Sequence, residues 1–327
     1  MLLSIENLKI GYNRGKEIVE LVRGISLDVG EGEVVGLVGE SGSGKSLTAL
    51  AIPQLLPTPL RVLEGKVVFN NTDLLRLSER RLHSLRGGDI GFIFQDPLTA
   101  LNPTLSVGAQ LVDVVKRHSK CSTRDARTRA VRAMRDVGIR SPEHRFHSFP
   151  HQMSGGMRQR VLIAMVLLGK PKLIIADEPT TALDVTVQAR IIALLRSIRE
   201  STDVAIIFIS HNLDLVAEFC DRVVVLYGGR VMEQGASANI VEAPRHPYTR
   251  ALLECIPRIT DDRGALRVIQ GQPPQNPSSV AGCPFAERCA RALPACETDF
   301  PDVVRGNTEQ QYACWNPEPL RRETNVG

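Results

Sequence analysis

The sequence predicts an α/β fold, a mainly parallel sheet covered by helices, with a small cysteine-rich extension towards its C-terminal end. Three observations carry that expectation. Up to about Leu253 the chain alternates short β-branched runs with helical patterns, the signature of strands joined by crossover helices. Several of those runs are apolar throughout rather than alternating, as strands covered on both faces are. Beyond Pro257 the texture changes, and Cys283, Cys289, Cys296 and Cys314 follow one another closely.

The bulk composition agrees. A chain of 327 residues has room for one large domain or two ordinary ones. Hydrophobic residues make up 43% and charged residues 23%, which speaks against a disordered chain and against an integral membrane protein. The formal net charge of +4 is scattered along the chain and does not by itself imply nucleic acid. MLLSIENLKIGYN lacks the basic start and long apolar stretch of a signal peptide. The longest apolar run, VLIAMVLL (161–168), is far below the roughly 20 residues that span a bilayer. Residence in the cytosol is expected.

Taken in order, VVGLVG (34–39), DIGFIF (89–94), KLIIAD (172–177) and VAIIFIS (204–210) read as buried strands. RVVVLYGGRVMEQG (222–235) reads as an antiparallel hairpin about a Gly-Gly turn. From about Thr99 to Gly169 the chain is charged and helix-like, a helical insertion between strands. QGQPPQNPSSVAG (270–282) has the composition of a linker. The expected organisation is a nucleotide-binding domain over 1–253, a linker over 254–282 and a four-cysteine extension over 283–327.

The first of those strands runs into GESGSGKS (39–46), which matches G-x-x-x-x-G-K-[ST], and a helical stretch follows. That context is what the phosphate-binding motif needs. Its glycines let backbone N–H groups converge on phosphate oxygens, and the helix N-terminus adds partial positive charge. Lys45 can reach the β- and γ-phosphates, and Ser46 can ligate Mg²⁺. Asp177 ends the strand KLIIAD, where its carboxylate can hold the metal shell, and Glu178 follows directly. A second carboxylate there can polarise an attacking water, so the pair suits hydrolysis better than transfer to an acceptor.

SGGMRQR (154–160), preceded by HQM, resembles the signature motif of ATP-binding cassette (ABC) ATPases. Other cassette elements stand in the same order: Tyr12, Gln95 in FIFQDP, Asp184 in TTALDV and His211 in FISHNLDLV. The resemblance implies a P-loop ABC cassette with a RecA-like core, an antiparallel β subdomain and a helical signature subdomain. It implies an ATP-binding set of Tyr12 stacked on adenine, the loop residues Gly39, Glu40, Ser41, Gly42, Ser43, Gly44, Lys45, Ser46 and Leu47, with Gln95 and Asp177. Ser46, Gln95 and Asp177 would serve Mg²⁺, Glu178 would be the catalytic base and His211 would orient it. Ser154, Gly155, Gly156, Met157 and Gln159 would close over the ATP of a partner cassette, because cassettes of this family pair head to tail. The residues themselves fit: the SGG segment opens an apolar helix and offers a hydroxyl, N–H groups and a helix dipole to an anion.

DPLTALNP (96–103), PHQMSGGMRQR, DEPTTALDVTVQA and PRHPYTRALL (244–253) further resemble the peptide-importer branch, tail included. That implies an ATPase subunit working with two membrane permeases, a second ATPase chain and an extracytoplasmic peptide-binding protein, at the cytoplasmic face of a bacterial inner membrane. Nickel and glutathione are alternative cargoes in the branch. A soluble cassette ATPase of DNA or ribosomes would want a basic stripe, a coiled-coil insertion or a second cassette, and none is visible.

The tail spacing is C-x5-C-x6-C-x17-C. Cytosolic thiols stay reduced, which favours metal ligation over disulfides. By spacing alone a structural zinc ion and an iron–sulfur cluster are both open. The tail also resembles the C-terminal extension of dipeptide-type importer ATPases, some of which hold a [4Fe-4S] cluster, and that implies the cluster. Cys121, Cys220 and Cys255 stand apart and read as packing residues.

Overall fold

The structure is a computed structural model that describes residues 1–181, 183–255, 268–306 and 310–319. The strands are β1 (Leu3–Arg14), β2 (Glu17–Val29), β3 (Val34–Val38), β4 (Arg61–Phe69), β5 (Thr72–Asp73), β6 (Ile90–Ile93), β7 (Leu173–Asp177), β8 (Ala205–Ile209), β9 (Arg222–Tyr227), β10 (Arg230–Ala236), β11 (Val304–Arg305) and β12 (Gln311–Tyr312). The helices run from α1 (Lys45–Ala51), α2 (Glu79–Leu85), α3 (Pro97–Ala100), α4 (Val107–His118), α5 (Thr123–Asp136) and α6 (Pro142–Arg145) to α7 (Gly155–Leu168) and α8 (Val185–Thr202). They continue with α9 (Leu213–Phe219), α10 (Ser237–Glu242), α11 (Pro247–Glu254) and α12 (Ala295–Thr298). The chain divides into two compact units.

The first unit takes 1–29, 34–75 and 210–327. It holds an antiparallel sheet in the order β2-β1-β4-β5. Leu3, Ile5, Leu8 and Ile10 of β1 and Val22, Ile25, Leu27 and Val29 of β2 are buried, in a register that sets Leu3 opposite Val29 and Ile10 opposite Val22. These two strands carry charged residues on many of their other positions, so they lack the unbroken apolar pattern of the inner strands. The same unit pairs β3 in parallel with β9, and β9 antiparallel with β10 as the expected hairpin. Gly228 and Gly229 turn it with φ of 53° and 76°, both in the left-handed region that a two-residue hairpin of this hand requires.

The described cysteine segment packs within the first unit. β12 adds to β10, with Glu233 opposite Tyr312, and β11 adds to β12. The physical reason lies at the edge of β10. There the fully buried Glu233 carboxylate accepts the backbone N–H of Arg245 at 2.6 Å and of His246 at 3.0 Å, and the Gln310 amide at 2.6 Å. A carboxylate can be buried there only because those donors converge on it. The expected linker is likewise held where it is described. Ser278 Oγ donates to Glu20 O at 3.0 Å and Arg23 donates to Val280 O at 2.7 Å. Residues 256–267 of the expected linker lie outside the described residues.

The second unit takes 30–33 and 76–209. Its strands are parallel, with β7 between β6 and β8, and every residue of β7 and β8 is buried. That explains their unbroken apolar character. The helical stretch expected after Thr99 is present as α4 to α7, where Ala126, Ala130 and Ala133 on α5 give a small-residue buried face that admits close helix approach. Side chains of Ser106, Ser122, Ser154 and Asp184 cap α4, α5, α7 and α8, each accepting an N–H that the helix leaves without an internal partner. Among the described residues no helix is long and apolar enough to cross a membrane.

Candidate functional site

In the first unit the loop between β3 and α1 is shaped by its glycines. Gly39, Gly42 and Gly44 have φ of 150°, 79° and 100°. A Cβ on Gly39 would stand 2.1 Å from the Leu226 carbonyl oxygen, so only glycine lets the loop lie this close to β9. Lys45 is buried and donates to Gly39 O at 2.7 Å and Glu40 O at 2.9 Å. The ammonium is thus held over the loop's own carbonyls. Ser41 and Gly42 are exposed at the loop tip, Ser43 and Gly44 are buried, and Ser46 and Leu47 are half-buried on α1. Tyr12 lies half-buried on β1 opposite Val19. His211 is exposed just before Asn212, whose side chain caps α9.

In the second unit Asp177 closes β7 and is buried. Glu178 follows with φ of 45°, a left-handed conformation uncommon for a non-glycine residue. Its N–H donates to Ile209 O at 3.1 Å, which fixes the turn. The Glu178 carboxylate accepts from Gln95 Nε2 at 2.9 Å and from Thr181 Oγ1 at 2.8 Å, both on Oε2. Two residues far apart in sequence, Gln95 and Glu178, are therefore brought together, and Thr181 is a positioning partner that sequence reading passed over. Its signal was present in TTALDV, three residues beyond the glutamate.

The signature segment caps α7. Ser154 Oγ accepts the Met157 N–H at 3.4 Å, and Ser154 and Gly155 are exposed with Gly156 and Met157 half-buried. A cleft of about 810 Å³ opens beside them, lined by Ser154, Gly156 and Met157 together with Arg140, Arg160 and Arg190. Burial and the neighbouring Arg190 hold the Arg160 guanidinium below its ordinary range. Such a cluster of cations beside a helix N-terminus suits a polyanion. Arg160 ends the SGGMRQR segment, but no local motif marks Arg140 or Arg190, and only folding gathers the three. Gln159 is 1% exposed, and its amide nitrogen has no hydrogen-bond partner among the described residues. Asp184 caps α8, accepting the Val187 N–H at 2.9 Å.

Residues 22–181 match the family described as ABC transporter, and residues 232–296 match the one described as oligopeptide/dipeptide transporter, C-terminal region. The chain is 45% identical to the dipeptide transport ATP-binding protein DppD of Bacillus subtilis, over 96% of this chain and 94% of that protein. This chain belongs to the ABC transporter ATPase family. Its identity to DppD of Escherichia coli is 42%, covering 97% of each chain. Against the oligopeptide transport ATP-binding protein OppD of Bacillus subtilis it is 45%, over 97% of this chain and 89% of that one. Among solved structures, the ABC cassette MJ0796 in a dimeric post-hydrolysis state with ADP and phosphate superposes with a TM-score of 0.65 at 28% identity, over 72% of this chain and 99% of that one. The chain is accordingly an ATP-hydrolysing cassette.

The four tail cysteines of this cassette protein influence one another. Burial pushes the Cys283 thiol up to about 12 and the Cys314 thiol up to about 11, and the neighbouring cysteines add to both. Cys289 is also pushed up, by burial first. Cys296 O accepts the Cys283 N–H at 2.7 Å, and Cys296 Sγ accepts the Leu293 N–H at 3.4 Å. Yet among the described residues no three His, Cys, Asp or Glu side chains are grouped to hold a metal ion. The metal centre expected on these cysteines is thus not drawn together as a ligand set among the described residues.

Proposed function

We propose that this chain is the ATP-hydrolysing subunit of a membrane importer for dipeptides and oligopeptides. The observation that carries the reading is the end-to-end likeness to dipeptide transport ATP-binding proteins, with 45% identity over 96% of the chain and the C-terminal region included. Nickel and glutathione are the other cargoes of the branch, and no residue described above favours either. The subunit works at the cytoplasmic face of a bacterial inner membrane. Its partners are two permeases, a second cassette chain of related sequence and, through the complex, an extracytoplasmic peptide-binding protein.

Tyr12 stacks on adenine, and the loop from Gly39 to Leu47 cradles the phosphates with backbone N–H groups. Lys45 exchanges its bonds to the Gly39 and Glu40 carbonyls for phosphate oxygens. Bound Mg²⁺ neutralises charge on the β- and γ-phosphates, and Ser46, Gln95 and Asp177 would hold it. Glu178 takes the proton of the attacking water. Gln95 and Thr181 fix which way its carboxylate points, and His211 orients the pair. Ser154, Gly155, Gly156 and Met157 close on the ATP of the partner cassette, with the cleft arginines adding charge. Gln159, buried on α7, belongs to the same signature set. ATP binding closes the pair of cassettes, and hydrolysis reopens it.

Glu178→Gln keeps the shape and removes the base. ATP should still bind, hydrolysis should fall at least about 100-fold, and uptake of a labelled dipeptide by cells carrying the whole importer should stop. Uptake at the normal rate would remove Glu178 from this role, and uptake of nickel in place of dipeptide would reassign the cargo.

The four thiols are, in the same reading, ligands of an iron–sulfur cluster rather than of one zinc ion. Two features support this. The thiols lie near enough that Cys296, Cys314 and Cys289 act electrostatically on Cys283, and Cys296 Sγ receives an N–H donor, as cluster sulfurs do. Anaerobically purified protein should contain about four irons and four sulfides per chain; one zinc and no iron would overturn the assignment.

A further inference from the structure

Between Cys283 and Cys289 lies a short turn, Ala286–Arg288, and Arg288 points from it to the phosphate loop. Its guanidinium makes a two-pronged pair with Glu40, Nη1 to Oε2 at 2.6 Å and Nη2 to Oε1 at 3.1 Å. The remaining donors go to Tyr227 Oη at 2.8 Å, Gln270 O at 2.8 Å and Ile269 O at 3.1 Å. All five N–H groups of the arginine are thereby used. The pair is largely out of water, with the Arg288 side chain 6% exposed and Glu40 23%.

Glu40 is the second residue of the phosphate loop, and its backbone is gripped as well. Its N–H donates to Tyr248 Oη at 2.8 Å and its carbonyl accepts from Lys45 at 2.9 Å. Phe285, three residues before Arg288, packs edge-on to Tyr227 at 5.4 Å and against Tyr248 at 5.1 Å. One tail turn therefore supplies both the aromatic wedge behind the loop and the cation on its carboxylate.

A carboxylate in a loop built to hold a triphosphate is electrostatically adverse unless something neutralises it and turns it aside. We propose that Arg288 is a positioning residue for nucleotide binding: it neutralises Glu40 and fixes the phosphate loop, and through it the cysteine segment sets the affinity for ATP. This rests on the loop's ATP-binding role and not on what the thiols hold.

The test is equilibrium binding of ATP to the full chain by calorimetry, with folding checked by circular dichroism. Arg288→Ala should weaken binding about tenfold, from an uncovered charge near the phosphates in a partly desolvated site, and less at high salt. Arg288→Lys keeps the charge without the fork and should fall between; it serves as the reading variant if the alanine form does not fold. The discriminating variant adds Glu40→Gln to Arg288→Ala. Removing the stranded charge should restore part of the affinity, whereas a merely structural loss would be left as it is or deepened. A Kd for Arg288→Ala within twofold of the parent overturns the proposal, and so does a double variant that binds no tighter than Arg288→Ala alone. Cys289→Ser should weaken ATP binding in the parent and not in the Arg288→Ala background. An equal further loss in both backgrounds overturns the route through Arg288.

Discussion

His246 gives the protein a pH-dependent stability that can be isolated by one substitution. It caps α11, with Nδ1 accepting the Tyr248 N–H at 3.0 Å, so the neutral ring carries its proton on Nε2. That nitrogen is buried and has no partner among the described residues, and the residue is 1% exposed. A second proton would have to displace the cap and leave an unpaired charge inside the protein, and burial accordingly holds the ring's pKa down to about 3. Unfolded, it titrates near 6.5. The folded state then binds fewer protons between those values, so this contribution is complete above about pH 6.5 and is lost as pH falls towards 3. Between pH 7 and pH 5 the loss is about 2 kcal/mol, and by pH 3 it reaches about 4. His246→Asn keeps an acceptor suited to the cap and removes the titration. Glu233, whose carboxyl burial pushes up, acts with the opposite sign, gaining stability as pH falls; it is present in both proteins and cancels in the comparison. Urea unfolding of parent and variant at pH 7 and pH 5 should show the parent losing about 2 kcal/mol more. A difference under about 0.5 kcal/mol would refute the argument.

Two glycines of the signature should behave differently. A Cβ on Gly156 would stand 2.6 Å from Val187 Cγ1, whereas one on Gly155 meets only Leu183 at 3.3 Å. Gly156→Ala should cost about 1–3 kcal/mol in thermal unfolding and Gly155→Ala well under 1 kcal/mol; equal effects would mean that Val187 yields freely. At Gly39 the obstruction is backbone rather than side chain, since the added Cβ would lie 2.1 Å from Leu226 O. Gly39→Ala should therefore weaken ATP binding at least about tenfold, measured by titration, and unchanged affinity would show that the loop can move away from β9.

Much of this protein is written in local pattern. Leu173–Asp177 and Ala205–Ile209 had to be inner strands, because runs with no polar position can only be covered on both faces, and both are fully buried. The phosphate loop, the Asp177–Glu178 pair and the SGG cap are equally local: each works through backbone conformation and a few adjacent side chains, which consecutive residues specify. The tertiary structure decided what depends on distant partners. Gln95 meets Glu178 only through the pairing of β6 with β7, and Arg140, Arg160 and Arg190 form one cleft only when α7 and α8 are in place. The cysteine segment looks independent in composition, since a linker-like stretch precedes it. Yet the edge of β10, the buried Glu233 and the loop residue Glu40 all take partners from it. Composition reports how a segment would behave alone; hydrogen bonds donated to a buried carboxylate and an open sheet edge are made by the whole chain, and they decide where that segment goes.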